Sequence, residues 1–549
     1  MKKVKKRHMV LTLVLAVTLW AFNSPQNDKY FLIIKNLDIF ATLFKEVNAQ
    51  YVDEINPNTF MQTGINAMMS SLEPYTRFYP EDQIEDVRTE TTNQYGSIGA
   101  SIGLLDDKVM VILPDGKIPY DSIGLKRGDE IIAVNGLEVE GNLERASEFL
   151  RGQSASKLKL TVRKPDGTQQ DVEVELSAEE SPNVPYYGML TDDIGIIKQT
   201  GFTDGASLEV AQALEVLKGS GAKKVVLDLR SNPGGLLNEA VNISNIFIPK
   251  GELVVDTRGK IKETNATYNS LNDPEDLEIP LVVLTNSSSA SASEIVAGVI
   301  QDYDRGVLVG QRSFGKGLVQ RTMPLSYNSQ MKVTIAKYYV PSGRSIQAID
   351  YSNRNPDGSV GKIADSLMTR YQTRNGRPVY DGGGISPDFE VEKRRLAPIT
   401  VGILSERLFF RFGNEYEAKL GEVASVKDFA ITDEMFEEFK AWLADKSFEY
   451  TSPLEKQIKE LRVVAEEEGS VDRIAQQLEA LEAVVKHNRS EDLERNKAEI
   501  KQFLKEEFIT RFFFAQGRIE ASYQFDADID KAIEVLSDSD LYQKTLLGQ

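Results

Sequence analysis

The segment Asn286–Gly298, NSSSASASEIVAG, holds five serines within seven positions and then becomes apolar. A serine hydroxyl can act as a nucleophile when a base removes its proton. The chain has two histidines, His8 in a basic N-terminal stretch and His487 in a charged C-terminal stretch, and it has no cysteine. A Ser-His-Asp triad, a cysteine nucleophile or a metal site rich in these residues therefore has almost no residues from which to form. Because serine runs are often solvated linkers, this segment alone does not establish catalysis.

A second segment, Val309–Gln320, reads VGQRSFGKGLVQ and contains Lys316 between glycines. Without histidine, a neutral lysine amine can serve as the base if burial lowers its pKa from about 10.4. Two other interpretations exist. Gly310, Gly315 and Lys316 fit the spacing of a phosphate-binding loop, but Gly317 stands where that loop needs Ser or Thr, and the following residues predict a strand instead of a helix. A surface lysine in a glycine turn is the other alternative.

The serine segment lies within residues 190–311, where strand-like and helical patterns alternate in the α/β manner, and the lysine segment begins at the end of that region. The strands are apolar almost throughout, which predicts a parallel sheet covered on both faces. Sites in such folds lie where strands end and helices begin. The turn SNPGG at Ser231–Gly235 and the serine segment each follow a predicted strand. The sequence therefore predicts that both turns take such positions.

The length of 549 residues allows about three or four domains. We expect a signal peptide or signal anchor at 1–24, because five cations in the first seven residues precede an apolar run, and we therefore expect export.

The periodicity predicts a helical region at 28–92, a β-rich domain at 93–180, an α/β core at 185–395 and an acidic helical domain at 400–549. The net charge of −19 argues against a nucleic-acid partner. From Val401 onward, 32 acidic and 20 basic residues favour a solvated accessory domain.

Within the β-rich region, GLKRGDEIIAVNG at Gly124–Gly136 resembles the signature of a PDZ domain. The resemblance implies that a glycine-containing loop, Gly96–Gly99 with Ser97 and Ile98 between, offers backbone N–H groups to the C-terminal carboxylate of a peptide, which adds as a strand to the sheet edge. From its place in this domain, Arg151 is a candidate for communicating tail binding to the active site. A generic β-rich domain is the alternative.

Several ordered motifs over about residues 35–390 resemble the C-terminal processing peptidases, also called tail-specific proteases. These motifs include LDLRSNPGG, NSSSASASE, FGKG, YYVPSGRSIQ and GGGISPDFEV. The resemblance implies an α/β multidomain chain with a ClpP/crotonase-like protease core and an inserted PDZ domain. It further implies that Ser291 is the nucleophile, Lys316 the base, and Gln320 the residue that orients the lysine.

The residues agree with these roles. Ser291 precedes the helix predicted to begin near Ala292, and free N–H groups at a helix start stabilise an oxyanion. We expect Ala292 to supply one donor, and either Gly234 or Gly235 the other. Gln320, four residues after Lys316 on a predicted strand, would point to the same face as the lysine.

The sequence thus predicts an exported serine endopeptidase that binds the free C-termini of polypeptides and needs no metal, nucleotide or redox cofactor. An adaptor, a homo-oligomer and membrane anchoring through the N-terminal segment are further expected partners or contacts. The alternative is a periplasmic scaffold or chaperone that contains a PDZ domain and has lost catalytic activity.

Overall fold

The computed structural model describes residues 25–84, 94–114, 124–150, 156–180, 182–355, 357–421, 423–485 and 489–549. Contacts between Cα atoms divide the chain into two units, Met1–Tyr79 with Met323–Val333, and Pro80–Thr322 with Thr334–Gln549. The expected signal segment, residues 1–24, lies outside the described residues. Within the described ranges, no helix is long and apolar enough to cross a membrane.

The first unit contains helices α1 (Pro25–Gln50) and α2 (Pro57–Ser70) and strand β1 (Arg77–Tyr79). Helix α2 begins with proline because its missing N–H needs no partner there, and the Asn56 side chain caps the helix by accepting the N–H groups of Asn58 and Thr59. Many large apolar side chains of α1 are exposed, among them Tyr30, Phe31, Ile34, Leu37 and Leu43.

The described residues between 94 and 180 form a β-rich domain. Its main sheet has the order β3 (Ala100–Leu105), β4 (Lys108–Pro114), β5 (Glu130–Val134), β7 (Lys157–Arg163) and β8 (Gln169–Glu175), with β6 (Leu137–Glu138) paired to β5. A ribbon of β2 (Gln94–Ser97) and β9 (Ser177–Glu180) closes the domain, and helix α3 (Leu143–Phe149) lies between β6 and β7 in the chain. The hairpin predicted from KLKLTV and DVEVEL is β7–β8, in which alternate apolar residues are buried.

The α/β core is one six-stranded sheet. Its order is β10 (Tyr186–Met189), β11 (Ile194–Lys198), β12 (Lys224–Asp228), β15 (Leu281–Thr285), β16 (Val307–Gly310) and β23 (Phe389–Glu390). All pairs from β11 to β23 are parallel, and β10 is antiparallel to β11. The predicted parallel sheet is therefore confirmed.

Both faces of this sheet are covered, as the apolar strands predict. Helices α4 (Ala206–Gly219), α5 (Leu237–Phe247) and α6 (Ala292–Asp302) cover one face. The other face packs against α14 (Ala527–Ser537) and α15 (Ser539–Leu546) from the end of the chain. The last helices are thus part of the core, and the expectation of an accessory domain is wrong for them, because their apolar stripe packs on the sheet.

The remaining strands form a second sheet and two hairpins. The second sheet has the order β1, β18 (Gln330–Tyr339), β13 (Leu253–Gly259) and β14 (Ala266–Asn269), and β17 (Leu318–Pro324) also pairs with β18. The hairpins are β19 (Ile349–Arg354) with β20 (Val360–Lys362), and β21 (Arg370–Gln372) with β22 (Pro378–Tyr380).

Helices also dominate residues 398–522. They are α7 (Pro398–Ser405), α8 (Leu408–Tyr416), α9 (Asp433–Leu443), α10 (Pro453–Glu467), α11 (Val471–Val485), α12 (Arg489–Arg495) and α13 (Lys497–Ser522). Their core is aromatic, and the rings of Phe412 and Phe439 meet edge to face at 5.0 Å. The fold is the mixed α/β multidomain architecture that the sequence predicts.

Candidate active site

Ser291 lies between the end of β15 and the first residue of α6. Its backbone has φ 54° and ψ −112°, a conformation that L-residues with side chains rarely adopt. Such strain persists only where surrounding contacts hold it, and it concentrates at functional sites. The predicted helix start at Ala292 is confirmed, so Ser291 stands at the positive end of the α6 dipole.

The neighbouring serines hold the adjacent turn together. The Ser289 hydroxyl is buried and donates to the Leu229 carbonyl at 2.9 Å, and the Ser293 hydroxyl donates to the Asn232 carbonyl at 2.9 Å. Ser288 is exposed, and its backbone N–H donates to the Asn286 side chain. Two of the five serines therefore fix the segment after β12 beside Ser291.

The glycine turn after β12 reaches the candidate nucleophile directly. Gly234 has φ +96°, and a Cβ added there would lie 2.8 Å from both Ser291 Cβ and Ala292 N. The N–H of Gly234 already donates to Asn232 Oδ1 at 2.9 Å. Of the two glycines that the sequence leaves open, Gly235 is therefore the better candidate for a second oxyanion donor.

The lysine segment packs against the same helix start. The Phe314 N–H donates to the Ser289 carbonyl at 2.9 Å, and the half-buried Lys316 follows two residues later. The chain then enters β17 at Leu318, which excludes the helix that a phosphate-binding loop requires. The prediction that Lys316 lies on the strand with Gln320 is wrong, because β17 begins two residues after the lysine. Between them, the Gly317 N–H donates to the Gln347 side chain, and the Gly317 carbonyl accepts the Tyr338 N–H.

Gln320 lies on β17 and is half-buried. Its side-chain amide donates to the Thr334 hydroxyl on β18 at 3.1 Å. This hydrogen bond fixes the orientation of the amide on the strand that follows the lysine.

Glu294, which the sequence reasoning did not single out, joins the two segments. Its Oε2 atom accepts the backbone N–H of Ser291 at 2.8 Å and that of Lys316 at 2.9 Å. Its Oε1 atom accepts the Ser313 hydroxyl at 2.5 Å and the Gly315 N–H at 2.7 Å. One carboxylate thus brings the backbones of the serine and the lysine to a single oxygen atom.

The Glu294 carboxyl is fully buried, and this burial raises its pKa to about 7 against the opposing effect of its four hydrogen-bond donors. The signal in the sequence was a carboxylate that stands directly between the serine segment and the apolar run IVAGVI. From the other side, the buried Tyr338 hydroxyl donates to the Ser291 carbonyl at 3.0 Å.

Ion pairs of Arg230 hold the chain that leads into the glycine turn. Arg230 bonds Asp228 on one side and reaches Asp526 and Asp528, at the start of α14, at 2.7 and 2.9 Å. Burial alone raises the pKa of the Asp228 carboxyl, but the adjacent Arg230 and Lys198 cations lower that pKa well below its usual range. The end of the chain therefore contributes to the position of the turn beside Ser291.

The residues expected to bind a peptide tail lie at one end of the β-rich domain. Gly96 and Ser97 belong to β2, Ile98 is buried, and Gly99 has φ +70° immediately before β3. Arg151 lies outside the described residues.

Two family models match the chain. Residues 193–360 match peptidase family S41, and residues 399–536 match the family described as probable PDZ-protease, C-terminal helical domain. The first match contains both the serine and the lysine segments.

Known proteins are similar to this chain over a longer stretch than either family model matches. The carboxy-terminal-processing protease of Bartonella bacilliformis is 33% identical over 333 residues, which cover 60% of this chain and 75% of that protein. A probable CtpA-like serine protease of Staphylococcus aureus is 32% identical over 315 residues, covering 57% of this chain and 62% of that protein. The solved photosystem II D1 C-terminal processing protease is 23% identical, covers 64% of this chain and 86% of its own, and has a TM-score of 0.36.

The identity with the Bartonella bacilliformis protease extends over three quarters of that protein, and the S41 match spans the segments that meet at Glu294. The chain therefore belongs to the carboxy-terminal-processing proteases of peptidase family S41, which makes it a serine-type peptidase.

Proposed function

We propose that the chain is an exported endopeptidase in which Ser291 is the nucleophile and Lys316 the general base. The observation that carries this proposal is the single Glu294 oxygen that accepts N–H bonds from both residues. The strained backbone of Ser291 at the start of α6 supports the same assignment.

In the proposed reaction, the neutral Lys316 amine takes the Ser291 proton while the serine oxygen attacks the scissile carbonyl carbon. The N–H groups of Ala292 and Gly235 would hold the resulting oxyanion. The lysine ammonium then gives its proton to the leaving amine, and an acyl-enzyme remains. Lys316 next deprotonates a water molecule, whose attack releases the acyl product and returns the proton to Ser291. Gln320 would keep the amine oriented.

Cleavage of an unstructured polypeptide with an apolar C-terminus tests this dyad. We expect Ser291→Ala and Lys316→Ala to abolish cleavage, while the matched control Ser288→Ala, an exposed serine of the same segment, keeps wild-type kcat. Cleavage by either dyad variant at the wild-type rate would disprove the assignment. A wild type that binds the polypeptide and leaves it intact would instead favour the scaffold alternative.

The β-rich domain is proposed to select substrates as a PDZ domain. Strand β3 is one of the two edge strands of the main sheet, and Gly99 with positive φ precedes it, as expected for a loop that turns N–H groups towards a carboxylate. The description of the family that matches 399–536 also names PDZ-proteases. Amidation of the substrate C-terminus should raise KM at least tenfold, and an unchanged KM would contradict this proposal.

Export is supported by the basic and apolar residues of 1–24 and by the bacterial origin of the similar proteases. Fractionation of cells that produce the full chain tests export.

The exposed apolar side chains of α1 are consistent with a protein partner, either an adaptor or a second copy of this chain. Sedimentation of Phe31→Asp, compared with the wild type, tests association through α1.

A further inference from the structure

Helix α13 is interrupted at one residue. Lys497–Ser522 is otherwise helical, but Phe514 has φ 57° and ψ −151°. A bulky side chain in this conformation strains the backbone, and neighbouring contacts must offset that strain. Phe514 is thus held at a kink by what its side chain contacts.

The three successive phenylalanines at this kink have different surroundings. Phe513 packs inside the C-terminal helical region against Val426 and Ile509. Phe512 lines a cleft between that region and the β-rich domain. Phe514 packs against the hydrophobic core of the β-rich domain, and in the described chain it is the one member of that cluster from outside residues 98–176.

The other partly buried members of this cluster lie on one strand and one helix, where the core reaches the surface. They are Ala100 and Ile102 on β3, and Leu143 and Phe149 on α3. Strand β3 is a sheet edge, and an edge strand beside a helix is the arrangement that accepts an added peptide strand. Phe514 is the remaining partly buried member of the same cluster, so a side chain from the C-terminal helical region packs on the core that reaches the surface at this edge.

Ion pairs fasten α13 beside this opening. Glu507, two helical turns before Phe514, is buried and pairs with Arg127 of the β-rich domain at 2.7 Å and with Arg511 at 2.7 Å. Arg411 of α8 pairs with Asp106, next to the end of β3. The same helix that carries Phe514 is thus anchored to the domain on which Phe514 packs.

We propose that Phe514 is an internal ligand of the β-rich domain and occupies the position of the apolar last side chain of a substrate. A substrate tail must then displace Phe514 before it binds. The competition with a substrate tail rests on the proposed tail-binding function, whereas the packing of Phe514 on the β-rich domain does not. If the displaced state is populated at about 1–10%, removal of the phenylalanine ring should tighten tail binding by about 10- to 100-fold.

Access to the opening can be measured without a substrate because the chain has no cysteine. Ile102→Cys would carry the one thiol, and the rate of its reaction with a maleimide is compared with and without Phe514→Ala. We expect at least tenfold faster reaction in the double variant. Leu104→Cys, an exposed site on the same strand, should react equally fast with either residue at 514.

Two further variants show whether faster reaction comes from loss of the Phe514 ring or from general loosening of the fold. Phe513→Ala removes a neighbouring ring that packs against a different cluster, that of Val426 and Ile509, and it should leave the rate at Ile102→Cys unchanged. Phe514→Leu keeps an apolar side chain and should restore slow reaction. Equal rates for wild type and Phe514→Ala at position 102, or equal acceleration by Phe513→Ala, would overturn the proposal.

Binding of a fluorescent peptide with a free apolar C-terminus is then measured on the full-length chain. Tighter binding by Phe514→Ala, with no effect of Phe513→Ala, supports competition between Phe514 and the tail. If the maleimide rates rise as expected but neither protein binds the peptide, the internal contact stands and the proposed tail recognition fails.

Discussion

Replacing Glu294 by glutamine tests whether its carboxylate, which accepts the backbone N–H groups of Ser291 and Lys316, is needed for activity. Glutamine has nearly the same shape as glutamate, so the substitution changes little else. The carboxylate accepts four donors, two on each oxygen. An amide can keep its oxygen towards the N–H groups of Ser291 and Lys316 and turn its NH₂ group to the other pair. The Ser313 hydroxyl can rotate and accept, but the Gly315 N–H then loses its acceptor.

The magnitude follows from this loss. One buried N–H without an acceptor costs about 1–3 kcal/mol, and the opposite amide orientation would cost more because it leaves two N–H groups unpaired. Since Gly315 precedes the proposed base, displacement of this segment should raise the barrier of the chemical step. A rise of 1–3 kcal/mol corresponds to a fall in kcat of about 5- to 150-fold.

The assay is steady-state cleavage of an unstructured polypeptide, with thermal melting measured on the same samples. Glu294→Gln should lower kcat and leave KM within about twofold. Glu239→Gln is the matched control. Glu239 is also a buried carboxylate, it lies on α5 instead of α6, and it accepts the backbone N–H of Ser207 at 2.6 Å. This substitution should lower the melting temperature without changing kcat. Wild-type kcat in Glu294→Gln would refute the reasoning.

Three other predictions follow from local geometry. Gly234→Ala should lower kcat at least 100-fold, because its Cβ would crowd the main-chain nitrogen of Ala292, the proposed oxyanion donor. Gly205→Ala has a similar positive φ but open space around the added Cβ, and it should retain activity. The raised pKa of Glu294, about 7, means that the native state binds its proton more tightly than the unfolded state, so this residue's contribution to stability falls as pH rises from about 4.5 to 7. The melting temperature of Glu294→Gln relative to wild type should therefore increase over that range, and a constant difference would contradict it. Glu507→Gln breaks a buried ion pair and should destabilise the protein by about 3–5 kcal/mol, measured by denaturant unfolding, whereas Glu438→Gln in an exposed pair should cost less than about 1 kcal/mol.

The sequence was sufficient for the parts of the molecule that local pattern controls. Continuous apolar strands predicted the parallel sheet, and the change from serine to apolar residues predicted the start of α6 at Ala292. The glycine turn and the serine segment were expected at strand ends, and the close approach of Gly234 to Ser291 agrees with that expectation.

Long-range contacts could not be predicted in this way. Glu294 was read as one residue of a motif, because nothing in the spacing shows that the Lys316 segment returns to its side chain 22 residues later. The choice between Gly234 and Gly235 depended on the hydrogen bond from the Gly234 N–H to the side chain of Asn232, which no pattern reveals. These contacts arise from the crossing of loops, and periodicity carries no information about them.

The end of the chain shows how composition can mislead. Its excess of acidic residues favoured a solvated accessory domain, yet Ile529, Ala532 and Leu536 recur at helical spacing and are buried on the core sheet. The carboxylates of Asp526 and Asp528 meanwhile bind Arg230, close to the turn beside Ser291. Deleting residues after about 395 would therefore uncover the sheet and release that turn together, so loss of activity in such a truncation could not distinguish a regulatory domain from a missing half of the core. Point variants such as Phe514→Ala, which leave the sheet covered, can make that distinction.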